Sequence, residues 1–194
     1  MVLVAFLACD GIHQDSKRMQ KANKLEFSRL VNCARYIFFD SCIYKNNHIV
    51  WKSSSFSKCM KWLAKTIKKE KHEYCDLLIG SHTKRPYASR CDPEESFSLH
   101  SGNGDTKNEI IPIREFTNRV QVSTLFLDCC CGNQIDLSGL HCLRIVCALS
   151  FVGYEGLVTK SFSKNYPDYE KIVKNALKHD KSPEWCIISK SSYR

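Results

Sequence analysis

Glycine and proline are scarce in this chain, at 8 and 5 of 194 residues. Collagen-like repeats are therefore excluded, and little material remains for long flexible linkers. Uninterrupted apolar runs are short as well. The longest, at Val2–Cys9, spans about eight residues, against the roughly 20 that a membrane-crossing helix needs. No basic segment precedes that run, so it reads as a buried first strand rather than a signal peptide. The spacing C-x-x-C is missing despite 12 cysteines, which removes the usual zinc-ribbon and thioredoxin arrangements. A phosphate loop is missing too, because Ser101-Gly102-Asn103-Gly104-Asp105 lacks the Lys-Ser/Thr ending.

What is present suits one domain over residues 1–194. Hydrophobic residues make up 43% and charged residues 25%, enough apolar surface for a real core. Twenty-nine basic against 20 acidic residues give a net charge of +9. Such a charge governs encounter rates and solubility and does not by itself identify a partner. Cys9, Cys42, Cys75, Cys129, Cys130 and Cys147 lie in or beside apolar runs, where a free thiol behaves as a small hydrophobe. Free thiols point to a reducing compartment, and a soluble cytoplasmic protein without membrane contact is expected. The one scattered set that could hold zinc, Cys91, His100, His141 and Cys142, has no pair spacing to support it.

Periodicity gives an alternation of strands and helices. Val2–Ala8 reads as a strand buried on both faces. Leu25–Tyr36 follows at helical spacing, and Tyr36–Tyr44 contains a short strand. An N-cap at Ser53–Ser55 opens a helix carrying Phe56, Met60, Leu63 and Ile67 inward. Its outer face, Lys58, Lys61, Lys65, Lys68 and Lys69, reads as a solvated surface, so nucleic acid is not the expected partner. Leu77–Gly80 runs into Ser81-His82, and residues 83–109 form a polar excursion. Val122–Cys129 and Leu143–Phe151 are further strands. A helix starts at Tyr166-Pro167-Asp168, and Trp185–Ser189 is the last strand. This order predicts an α/β domain, a mostly parallel sheet sandwiched between helices on both faces.

In such a sheet the chemistry gathers beyond the carboxyl ends of the strands. Two expected strands end in reactive residues, one at His82 and one at Cys129-Cys130-Cys131. A cysteine nucleophile needs a base to reach its thiolate at neutral pH, and a histidine on the neighbouring tip supplies one. His82 precedes Cys130 by 48 residues, and in caspases the histidine lies about 50 residues ahead of the cysteine. The segment Asp128-Cys129-Cys130-Cys131-Gly132 resembles the caspase Gln-Ala-Cys-Arg-Gly, and Ser81-His82-Thr83 resembles its Ser-His-Gly. Ala148-Leu149-Ser150-Phe151-Val152-Gly153-Tyr154 is similar to the approach to the caspase substrate strand, and Trp185–Ser189 to its last core strand.

The resemblance implies a caspase-like cysteine endopeptidase with residues 1–136 large-subunit-like and 141–194 a shortened small-subunit-like part. It assigns Cys130 as nucleophile and His82 as acid and base. The backbone N–H groups of Thr83 and Cys130 become the oxyanion donors, and neither metal nor organic cofactor is required. The partner is a protein or peptide substrate, and the last strand is where a second copy or a caspase would pair. Departures from the pattern are also present. Thr83 replaces a glycine, and Glu155-Gly156-Leu157-Val158 lacks the arginine that holds a substrate aspartate. Arg18 is then the remaining pocket arginine. Asp128 stands in place of the pocket glutamine, as in metacaspases, so a relaxed or basic preference before the scissile bond is expected, with Asp disfavoured. His100 is the alternative base. An inactive homologue that regulates or decoys an active caspase is the second reading. The linker Asn133–Leu140 holds one aspartate, Asp136, and processing there is not expected.

Overall fold

The computed structural model of the chain describes residues 2–8, 24–53, 55–81, 110–128, 140–148, 171 and 185–189. Their elements are β1 (Val2–Ala8), α1 (helical residues 24–30), β2 (Tyr36–Phe39), β3 (Cys42–Lys45), β4 (His48–Lys52) and α2 (Phe56–Lys69). β5 (Tyr74–Ser81), α3 (Ile110–Thr117), β6 (Gln121–Asp128), β7 (Cys142–Ala148) and β8 (Trp185–Ser189) complete them. All the strands join one sheet in the order β4-β3-β2-β1-β5-β6-β7-β8. The five strands from β2 to β7 in that order run parallel, and β3, β4 and β8 add antiparallel margins.

β1 pairs in parallel on both sides, with β2 and β5. A strand so placed is covered above and below, which is why its sequence is continuously apolar. Val2, Val4 and Phe6 pack on one face with α2 and α3. Leu3, Ala5 and Leu7 pack on the other with Leu30 of α1. Helices thus lie on both faces of a mostly parallel sheet, as the α/β reading requires.

α2 follows its sequence closely. The Ser55 hydroxyl accepts from the Lys58 amide at 3.3 Å, satisfying a donor that the first turn leaves open. Met60, Leu63 and Ile67 are fully buried. The five lysines from Lys58 to Lys69 all face solvent, and Lys61 reaches Glu115 of α3 at 3.3 Å. The helix ends at Glu70, whose carboxylate gathers three donors. Tyr36 Oη donates at 2.7 Å, Lys45 Nζ at 2.7 Å and Arg35 Nε at 3.1 Å. His72 Nε2 lies 3.4 Å away. Partial burial alone would push this carboxyl up, but those hydrogen bonds outweigh it and hold it down to about 2. The cluster ties the end of α2 to β2 and β3 at the amino end of the parallel strands.

Several expectations need correction. The helix expected over Leu25–Tyr36 stops near Leu30, where the amides of Cys33 and Ala34 both donate to the Leu30 carbonyl at 2.9 and 2.8 Å. Tyr36 already belongs to β2. Tyr36–Tyr44 is two strands joined through Asp40 and Ser41, with φ of 50° and 57°. A second two-residue turn at Asn46-Asn47, φ 50° and 64°, leads into β4, which the periodicity did not suggest. Positive φ at both turn positions matches the twist of hairpin strands, and Asn and Asp tolerate it better than most residues. α3 is also unforeseen. Its Pro112 falls in the first turn, where no amide needs an intrahelical acceptor, and Ile113 and Phe116 fix it in the core. The excursion at 83–109 and nearly all of the helix after Pro167 lie outside the described residues.

Candidate active site

The two tips that matter are those of β5 and β6, which are neighbours in the sheet. Leu77 pairs with Leu125, Leu78 with Phe126, Ile79 with Leu127 and Gly80 with Asp128. Each of these partners is 48 positions from the other in sequence, the interval that also separates His82 from Cys130. His82 follows Ser81, the last residue of β5, and Cys130 comes two places after Asp128, the last residue of β6. Both lie outside the described residues, as do Thr83, Arg18, His100 and Cys91. Asp128 is described as the backbone partner of Gly80.

That register depends on an irregularity lower in β6. Cys75 pairs with Val122, an interval of 47, and the shift to 48 occurs before Leu77. One extra β6 residue is accommodated there as a bulge. Its cause is in the sequence. Val122, Leu125 and Leu127 all bury in the core beneath α2 and α3, although strict alternation would turn Val122 away from the other two. Asp76, only 2% exposed, secures the irregular turn, its Oδ1 accepting from the Thr124 amide at 3.2 Å. A buried carboxylate is tolerated where such donors meet it.

At the tip of β5, Gly80 sits beneath two close side chains. A β-carbon at this position would stand 2.9 Å from Leu7 Cδ2 and 3.4 Å from Glu26 Oε2. Glycine here serves close approach rather than a turn, and it lets a carboxylate from α1 rest on the end of the strand. Sequence reasoning passed over Glu26. The available signal was its place four residues before Leu30, on the inward face of the helix.

Cys33, Cys42, Cys59, Cys75 and Cys142 are free thiols. Burial pushes Cys59 and Cys75 up to about 12 and Cys33 to about 11. These three stay protonated near neutrality and serve as packing rather than as nucleophiles. In the zinc set, Cys142 is buried in the main core while the adjacent His141 is exposed. Among the described residues no three His, Cys, Asp or Glu side chains gather in a way that could hold a metal. An open groove of about 510 Å³ lined by Lys71, His72, Glu73, Tyr74, Ser123 and Leu143 lies at the amino ends of β5–β7. That is the end of the sheet remote from the tips.

No family model matches the chain, and no curated protein matches its sequence. Solved structures do match its fold. An inactive zymogen C11 protease from Parabacteroides distasonis superposes with a TM-score of 0.60 at 11% identity, covering 98% of this chain and 62% of that one. A secreted C11 cysteine protease from Bacteroides thetaiotaomicron, bound to an irreversible peptide inhibitor, gives 0.60 at 12% identity, covering 98% and 66%. A secreted C11 cysteine protease of the same bacterium, iotapain, gives 0.63 at 11% identity with the same coverage. The chain spans slightly less than two thirds of the length of these proteases. Its fold is the caspase-like α/β fold of the C11 cysteine proteases, in line with the resemblance carried by the sequence.

Proposed function

We propose that the chain is a caspase-like cysteine endopeptidase in which Cys130 and His82 form the reacting pair. The observation that carries this reading is the β5–β6 register. Its interval of 48 positions at Gly80 and Asp128 equals the 48 positions between His82 and Cys130, which supports pairing the two. His82 takes the Cys130 thiol proton, and the thiolate adds to the scissile carbonyl carbon. The N–H groups of Thr83 and Cys130 hold the resulting oxyanion. His82 then gives its proton to the leaving amine as the C–N bond breaks. Water, deprotonated by His82, hydrolyses the thioester and returns the thiol.

Asp128, in the position of the caspase pocket glutamine, would favour Lys or Arg before the scissile bond and disfavour Asp, since like charges juxtaposed at an interface cost several kcal/mol. Arg18 is the residue that would reverse this preference. β8, which ends the sheet order, is the strand through which a second copy or a caspase would pair.

Labelling with an arginine-containing peptide electrophile, followed by mapping of the modified cysteine, tests the reading. Cys130 should react ahead of Cys129 and Cys131, Cys130→Ala should abolish turnover, and His82→Ala should reduce it about 10²–10⁴-fold. Equal labelling of all three cysteines would reject the register. No labelling and no turnover would favour the inactive homologue. Loss of activity in His100→Ala but not in His82→Ala would transfer the base to His100.

A further inference from the structure

The outer face of α2 carries more positive charge than the fold uses. The helix holds five lysines and no acidic residue. Lys58–Lys61, Lys61–Lys65, Lys65–Lys68 and Lys65–Lys69 are neighbours at three or four residues, where like charges repel. Among the described residues Glu115 relieves Lys61, and Glu70 at the helix end is already engaged by Arg35 and Lys45. Lys58, Lys65 and Lys69 are exposed. They stand four residues before, three after and seven after Trp62, so they share its stripe of the helix over about 16 Å. Trp62 is only half-buried. Its indole stacks on that of Trp51 in β4, with centroids 5.6 Å apart and planes 14° apart. Beside Trp51, Val50 is 42% exposed. β4 ends the sheet order, so this margin presents an apolar strip rimmed by cations.

We propose that this margin docks an acidic polypeptide segment with apolar side chains, which seat against Val50, Trp51 and Trp62 while its carboxylates meet Lys58, Lys65 and Lys69. Charge complementarity selects the acidic partner. Tryptophans are the anchors on which protein interfaces concentrate their energy. A nucleic-acid strand fits less well, because base stacking needs a free aromatic face. Here the two indoles are stacked on each other and packed against the core. A second copy is disfavoured as well, since it would bring the same lysines face to face. The register of β4 against β3 shifts between Ile43 and Tyr44, with Val50 as the extra residue. Such a bulge breaks the even row of edge amides, so side chains rather than strand addition recognise the segment. β3, β2 and β1 separate this margin from β5, and the inference does not rest on the peptidase reading.

Fluorescence anisotropy on the full chain tests this with a fluorescein-labelled, glutamate-rich peptide that carries a central pair of leucines. The peptide should bind, and its affinity should fall as salt is raised. Lys58→Glu, Lys65→Glu and Lys69→Glu together should weaken binding about tenfold or more, and Val50→Glu alone about tenfold. Exchanging the two leucines for glutamates should also weaken it about tenfold, although negative charge is added. If the charge reversal unfolds the chain, as circular dichroism would show, Lys58→Gln, Lys65→Gln and Lys69→Gln repeat the test more gently. No binding to the wild-type chain, equal binding by the lysine variants, or equal or tighter binding of the leucine-free peptide overturns the inference. Oligothymidylate that binds as tightly as the peptide overturns it in favour of nucleic acid. A dimer in sedimentation that Val50→Glu dissolves overturns it in favour of a second copy.

Discussion

The two faces of the sheet are built from different materials. Beneath α2 and α3, the described strand residues contribute aliphatic and aromatic side chains together with the thiols of Cys75 and Cys142. Beneath α1, the same strands contribute Leu3, Leu7, Leu78, Phe126 and Val146. There they also carry the carboxylate of Asp76 and leave the gap at Gly80 into which Glu26 leans. Both faces are buried, so solvent contact does not explain the contrast. One face maximises apolar contact and secures the fold. The other tolerates charge and leaves room at the strand tips, which chemistry requires. A sheet can divide these duties because alternate residues of one strand answer to different neighbours.

The sharpest way to break the contrast is to damage the apolar face. Phe6 is fully buried, with its ring centroid 5.7 Å from that of Phe38 and 6.3 Å from that of Phe116. Phe6→Ala should cost about 3–5 kcal/mol of stability in urea unfolding, while the folded fraction still labels at Cys130. Loss of selective labelling would show that the faces are not independent. On the other face, Asp76→Ala strands the Thr124 amide and should cost about 1–3 kcal/mol. Asp76→Asn keeps an acceptor oxygen and should cost less; equal losses would mean that charge rather than the hydrogen bond matters.

Glu70 offers a pH-resolved control at the far end of the sheet. Its folded value of about 2 lies below the ordinary carboxyl value of 4.5. Its contribution is therefore complete above about pH 4.5 and lost as pH falls through 2. Glu70→Gln should cost about 1–2 kcal/mol at pH 7, after allowing for solvent screening, and nothing below pH 2. Thermal melts across that range check the sign, and a deficit that persists in acid would refute it. The smallest effect, about 1 kcal/mol, is expected for Ser55→Ala, which removes the α2 cap; an unchanged melt would show that the cap is replaceable.

How far the sequence could be read depended on whether local pattern and tertiary environment agree. β1 was legible because burial on both faces leaves a continuous apolar run. α2 was legible because its cap, inward period and lysine face coincide. β4 was not, since its residues are mostly exposed and alternation has no buried face to record. Its turn, Asn46-Asn47, also lacks the glycine that usually signals a hairpin. α3 was hidden by its eight-residue length and its proline. At the site, the spacing of His82 and Cys130 was visible along the chain. The bulge was not, because Val122 and Leu125 fall within one apolar stretch. Glu26 was missed because its meaning comes from Gly80, 54 residues later, which only the fold brings beneath it.

The bulge in β6 also governs how the chain tolerates changes of length. Above it each β5 residue meets the β6 residue 48 positions later, and below it the interval is 47. Losing Ser123 would straighten the strand and leave the upper half where it is, with Asp128 still opposite Gly80. Losing a residue between Leu125 and Asp128 would move every later residue by one place against β5, and gaining one would move it the other way. On the proposed reading, either change in a chain with a single cysteine there would replace the nucleophile with another side chain. On the proposed assignment of Cys130, the run Cys129-Cys130-Cys131 would act as a vernier, offering a thiol whichever way the strand slips by one place.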